Sequence, residues 1–163
     1  MTPELAARLL PAFESAVSET LRHLETLEPL LDRERDALGG RDPDALNGVV
    51  REKLEVLGAL EKSMRGLEGV FAHAGLPGAG KGGDALLAHA TAPAELGARW
   101  QRLKTLAANV DRLNTRNGSL TKQAQRGART ALSILTGRQA TDAAYDRKGR
   151  DKTRLAGQSL GEA

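Results

Sequence analysis

Seven residues near the middle of the chain, Gly75-Leu-Pro-Gly-Ala-Gly80-Lys81, come close to a phosphate-binding loop. In that motif backbone N–H groups cradle the phosphates, the lysine reaches the outer ones, and a following Ser or Thr holds magnesium. Here position 82 is Gly, so the magnesium ligand is missing. The motif also needs a buried strand before it, whereas the residues before Gly75 repeat their apolar positions every three or four. The stretch from Gly75 to Gly83 therefore reads as a flexible linker. The other residue types that carry chemistry are no better placed. His23, His73 and His89 lie far apart and lack metal-site spacing such as HExxH or paired ExxH, so surface or boundary positions are expected. With no cysteine, disulfides and thiolate metal sites are excluded. Glu25, Glu28, Asp32, Glu34, Asp36, Glu52, Glu55 and Glu61 alternate with Arg and Lys, the pattern of a solvated helix face. No Ser-His-Asp set suggests itself, and aromatics at 2% leave little to build a substrate pocket. The expectation is no enzyme, no cofactor and no metal.

Charge is unevenly spread. Residues 1–90 hold 10 Lys and Arg against 15 Asp and Glu, while residues 91–163 hold 14 against 6. Such asymmetry points to a basic interaction region or to an acidic face matched internally by a basic one. Arg99, Arg102, Arg112, Arg116, Lys122, Arg126 and Arg129, with Arg147, Lys148, Arg150, Lys152 and Arg154 beyond, could meet phosphates. Against nucleic acid stand the absence of interleaved aromatics for stacking and the repulsion of a duplex by the acidic half.

The elements that carry these residues are helical. The 163 residues suit one domain, and 40% are hydrophobic, mostly Leu, Ala and Val. That composition favours helix over sheet. The fold expected is all-α: an elongated antiparallel bundle or coiled coil of three long helices plus a short one, with a flexible C-terminal tail. Helices are expected at about 3–38, 43–74, 84–89 and 93–136, with a body over 1–137 and a tail over 138–163. Thr2, Pro3 and Glu4 open the first helix; Asp42, Pro43 and Asp44 open the second. Leu10, Phe13, Val17, Thr20, Leu24, Leu27, Leu31 and Leu38 step by three and four, with one step falling on Glu34, and Leu21 and Leu30 widen the stripe. Pro29 should kink it, and Gly39-Gly40 should end it. The second stripe is Leu46, Val50, Lys53, Leu57, Leu60, Met64, Leu67 and Phe71, again with one polar interruption. The short connection makes these two helices antiparallel neighbours. Nothing in the N-terminus resembles a secretory signal, and no stretch approaches the roughly 20 apolar residues of a membrane span, so a soluble cytoplasmic protein is expected.

The third long helix carries Leu96, Trp100, Leu103, Leu106, Val110, Leu113, Leu120 and Ala124, continuing through Ala128, Ala131, Leu132 and Leu135. Asn117-Gly118 would ordinarily signal a turn. Leu113 and Leu120 are seven apart and the stripe keeps phase across the pair, which favours continuous helix despite a glycine penalty of about 1 kcal/mol. Ala124, Gly127, Ala128 and Ala131 are small. They could admit a partner helix closely, or they could pack internally against the first two helices. After Gly137 only Tyr145, Leu155 and Leu160 interrupt a polar tail, too little apolar surface to offset the entropy of ordering. A helical body with a small-residue groove suits capture of an amphipathic helix. The alternative is a purely structural coiled-coil scaffold or a nucleic-acid-binding protein that uses the basic C-terminal half.

Leu113-Asn-Thr-Arg-Asn-Gly-Ser-Leu120, Leu132-Ser-Ile-Leu-Thr-Gly137, Ala144-Tyr-Asp-Arg-Lys-Gly149 and a terminal Leu-Gly are similar, in that order, to the FlgN family. The leucine-rich first two helices also resemble it, so the likeness spans nearly the whole chain. The resemblance implies an all-helical cytoplasmic chaperone of flagellar type III export. It implies binding of the C-terminal helical segments of hook-associated junction proteins one and three, which prevents premature assembly, and delivery to the export gate component FlhA. Carried onto this chain, the substrate-protein surface would be Leu113, Asn114, Asn117, Gly118, Leu120, Ala124, Ala128, Ala131 and Leu135, and Tyr145 would dock on the gate. Neither nucleic acid nor membrane insertion belongs to this expectation; weak self-association is compatible with it.

Overall fold

The computed structural model describes residues 2–78 and 80–135, with side chains through Ala131. Four helices follow in order: α1 Pro3–Gly40, α2 Pro43–His73, α3 Gly80–His89 and α4 Ala94–Leu135. No strand occurs among the described residues. The described residues are all-α, as the composition favours. The chain divides into two compact units, Met1–Leu120 and Thr121–Ala163. The tail 138–163, including Tyr145, lies outside the described residues.

The helix starts follow from local chemistry. Thr2 Oγ1 accepts from the Leu5 N–H at 3.3 Å, and Asp42 Oδ1 accepts from the N–H groups of Asp44 and Ala45 at 3.1 and 3.0 Å. Each side chain satisfies donors that have no partner within the helix. The end of α1 differs from expectation. The helix runs through Gly39 and Gly40, and the left-handed step falls on Arg41, φ 53°. Asp42, just before Pro43, is extended, as residues preceding proline tend to be, so the reversal has to be made before it. Helix α1 also continues through both Pro11 and Pro29, with Pro29 on the exposed side.

Within Met1–Leu120, α2 runs antiparallel to α1, and α4 runs parallel to α1. Paired contacts fix the directions: Phe13 meets Phe71 at one end of α1 and α2 and Arg33 meets Glu52 towards the other, while Glu14 to Arg99 and Asp32 to Arg116 step together between α1 and α4. The α1 stripe is buried as its spacing demands: Phe13, Val17, Thr20, Leu24, Leu27, Leu31 and also Glu34. In α2 the inward face is rotated from the expected seam. Val49, Leu60, Ser63, Leu67, Val70 and Phe71 are buried, Leu57 is half-buried, and Met64 is 49% exposed. The physical reason is that α2 touches two neighbours: Val56 shares a cleft with Leu30 of α1, while Phe71 meets Trp100 of α4. A face divided between two helices is broader than one seam and is centred elsewhere.

Three of the four aromatic side chains meet at one end of this unit. Phe13, Phe71 and Trp100 have ring centroids 5.5 to 6.2 Å apart in tilted and edge-on geometry, worth roughly 0.5–1.5 kcal/mol per pair beyond burial. Helix α3 packs here, with Leu86 fully buried. It begins at Gly80, four residues before the expected start, so the supposed linker supplies a helical turn. A Cβ on Gly82 would collide with the Phe71 ring and the Pro77 carbonyl, and one on Gly83 with the Trp100 indole. The glycines that mimic a phosphate loop are there because two aromatic rings need the space. Asp84 secures the same helix: it accepts from Trp100 Nε1 at 2.8 Å and from Lys104 Nζ at 2.9 Å through both oxygens. Its pKa is lowered, first by the Lys104 hydrogen bond, against a smaller opposing effect of burial, with Trp100 assisting.

Candidate functional site

Helix α4 contains nine of the ten residues singled out from the sequence, and it is continuous through Asn117-Gly118. In the first unit its stripe is already occupied. Leu113 is 5% exposed and belongs to the core. Asn117 is 2% exposed; its Nδ2 donates to the Leu31 carbonyl at 2.6 Å and to Glu34 Oε2 at 2.9 Å. Asn114 is exposed, and its Oδ1 accepts from Lys53 Nζ at 3.2 Å. Lys53 also reaches both carboxylate oxygens of Glu34, at 2.8 and 2.9 Å. The polar interruptions of three stripes, Glu34, Lys53 and Asn117, thus form one connected layer across α1, α2 and α4. A buried carboxylate demands such partners, because its desolvation cost is offset only by close opposite charge and hydrogen bonds.

Gly118 faces open space, with nothing within 4 Å of where a Cβ would sit, and Leu120 is half-buried. In the second unit Ala124, Ala128 and Ala131 are exposed while continuing, in phase, the stripe of Val110, Leu113 and Asn117. The side chain of Leu135 and all of Tyr145 lie outside the described residues. The structure therefore separates the sequence-derived set: Leu113 and Asn117 serve the interior, and Gly118 with the three alanines is accessible.

Charge resolves in the same way. Arg99 reaches Glu14 at 3.1 Å, Arg102 reaches Glu25 at 2.6 Å and Arg116 approaches Asp32 to 3.7 Å. Asn109 donates to Glu28 along the same seam. The acidic α1 face and the basic α4 face answer each other, which leaves fewer cations for phosphates. Among the described residues no group of three or more His, Cys, Asp or Glu could hold a metal, and no helix is long and apolar enough to cross a membrane. Lys81 is exposed in the first turn of α3, with helix α2 before it in the chain, so the phosphate-loop context is absent.

One feature escaped the pattern reading. A groove of about 280 Å³ opens between α2 and α4, floored by Thr20 and Leu24 of α1, with Leu60, Met64 and Leu67 on one wall and Trp100, Leu103 and Ala107 on the other. Met64 stepped in phase with the α2 core, so spacing alone could not tell that it borders open space.

The sequence profile described as "FlgN protein" matches residues 9–153. Among curated proteins, none matches significantly. Among solved structures, the chain is similar to a flagella synthesis protein, FlgN, of Pseudomonas aeruginosa. The two share 27% identity at a TM-score of 0.59, over 70% of this chain and 89% of that one. The family match extends over the Asn117 layer and the exposed alanines alike, and the chain belongs to the FlgN family of flagellum-synthesis proteins.

Proposed function

We propose that this protein is a cytoplasmic chaperone of flagellar type III export, which holds the C-terminal helical segments of hook-associated proteins one and three until they reach the export gate. The observation that carries the reading is the α4 stripe: it is spent on the core up to Asn117 and continues in phase as exposed Ala124, Ala128 and Ala131 in a chain of the FlgN family. Small side chains let a partner helix approach closely, so its larger apolar residues supply the contact and leave water together. An amphipathic segment kept covered cannot polymerise or aggregate early. Holding a client in this way makes and breaks no covalent bond. Tyr145 docks on the gate component FlhA, and client binding along α4 changes how Tyr145 is presented.

The test is isothermal titration of the full chain with the C-terminal segments of both junction proteins, repeated with residues 121–163 removed. Tight 1:1 binding that disappears on truncation supports the reading, and the intact first unit serves as the folded control. No binding of either segment to the full chain overturns it.

A further inference from the structure

The groove between α2 and α4 is lined for a partner. Leu54 and Met64, 62% and 49% exposed, are the exposed large hydrophobic side chains of the described structure; both belong to α2, and Met64 lines the groove. Half-buried Leu57 lies between them. Behind Met64 the groove descends to buried Leu24, Leu60 and Leu103, and small Ala107 leaves the α4 wall open. From Leu60 to Phe71 it follows α2 for three turns, about 16 Å at 1.5 Å per residue. Three helices with an apolar slot between two of them present the place that a fourth fills in a bundle.

The rim specifies charge. Lys104 is held by both oxygens of Asp84, and Glu61 by Arg65. Two carboxylates, one on the rim and one a turn beyond its last α4 residue, remain without an ion-pair partner among the described residues. Glu68 lines the groove on α2. Asp111 is exposed on α4, seven residues from groove-lining Lys104 and therefore on the same face. Carboxylates that a docking helix would partly desolvate favour cations opposite them.

We infer that this groove takes an amphipathic helix with large apolar side chains at i, i+3 or i+4 and i+7, and with Lys or Arg flanking that stripe, as part of the client segment. The inference rests on the chaperone reading and adds a second contact with a charge rule of its own. Met64 at the lip, unbranched and adaptable, suits more than one such helix.

Trp100 is the only tryptophan of the chain and lines the groove, so its emission reports occupancy. The full chain is titrated with two tryptophan-free synthetic helices that share a leucine stripe, one flanked by lysine and the other by glutamate. The lysine peptide should shift Trp100 emission and bind roughly tenfold more tightly, a difference of about 1.4 kcal/mol. Joint Glu68→Lys and Asp111→Lys should invert the preference, and Met64→Lys should abolish the shift without altering the helical circular dichroism. Equal binding of the two peptides, or indifference to the charge reversal, overturns the inference. The junction-protein segments form the second arm. Their undiminished binding to Met64→Lys overturns the groove and leaves the chaperone reading standing, whereas their failure to bind the unaltered chain overturns that reading itself.

Discussion

Asn117 of α4 donates its side-chain amide to Glu34 Oε2 of α1 at 2.9 Å, in a layer where Lys53 of α2 grips the same carboxylate at 2.8 and 2.9 Å. Glu34 and Lys53 have side chains only 9% and 15% exposed. One polar group from each long helix meets at one level, so a helix shifted by a turn would leave a buried charge without its partner. We read the layer as a register device. Lys53→Met alone should destabilise the fold by roughly 3–5 kcal/mol, and Asn117→Ala by roughly 1–3 kcal/mol. Replacing Glu34, Lys53 and Asn117 together with apolar residues of similar size should recover most of that loss. Urea unfolding of the three variants checks the order; a triple variant less stable than either single one would refute the register role.

Gly83→Ala should cost roughly 1–3 kcal/mol, because its methyl group meets the Trp100 ring. Gly66→Ala, at an exposed helical site with open space, should gain about 0.5–1 kcal/mol. Thermal unfolding followed by Trp100 fluorescence compares the two directly.

Acid should loosen α3. The folded-state pKa of Asp84 is lowered by Lys104, so its contribution is fully present above the unfolded carboxylate value of about 3.9 and is lost as pH falls through the lower folded value. The side chain is 48% exposed, which limits the effect to roughly 0.2–1 kcal/mol. Asp84→Asn should be less stable than the parent at neutral pH, with the gap closing at the acid end of a pH-dependent urea series.

Ala128→Trp places a bulky ring on an exposed position of the α4 stripe. Client capture should fall by about 100-fold, or 2.7 kcal/mol, with urea stability unchanged. Unaltered titration heats would remove Ala128 from the client surface.

Tyr145→Ala should weaken binding to the gate component about tenfold while leaving capture of the junction-protein segments intact. Loss of capture instead would join two roles that are proposed as separate.

The amino-acid order alone made legible the all-α class, the caps at Thr2 and Asp42, the buried stripe of α1 and the unbroken passage through Asn117-Gly118. These depend on spacing and on groups within a few residues of one another. It also displayed Glu34 and Lys53 as interruptions in two stripes, without showing that they meet. What each face touches follows from packing between helices. Periodicity marks a side of a helix as apolar but does not choose its neighbour, and α2 divides its side between α1 and α4, leaving Met64 at the edge of a groove. Cationic spacing marked a possible phosphate surface, yet Arg99, Arg102 and Arg116 face α1 carboxylates that are 80 or so residues away in the chain. Leu113 and Asn117 looked like members of a binding face for the same reason: one stripe serves the core and then, from Ala124 to Ala131, lies exposed, and no local pattern marks where the first use ends. The glycines before Asp84 suggested a flexible loop because a glycine that makes room for a ring and one that frees the backbone are the same letter.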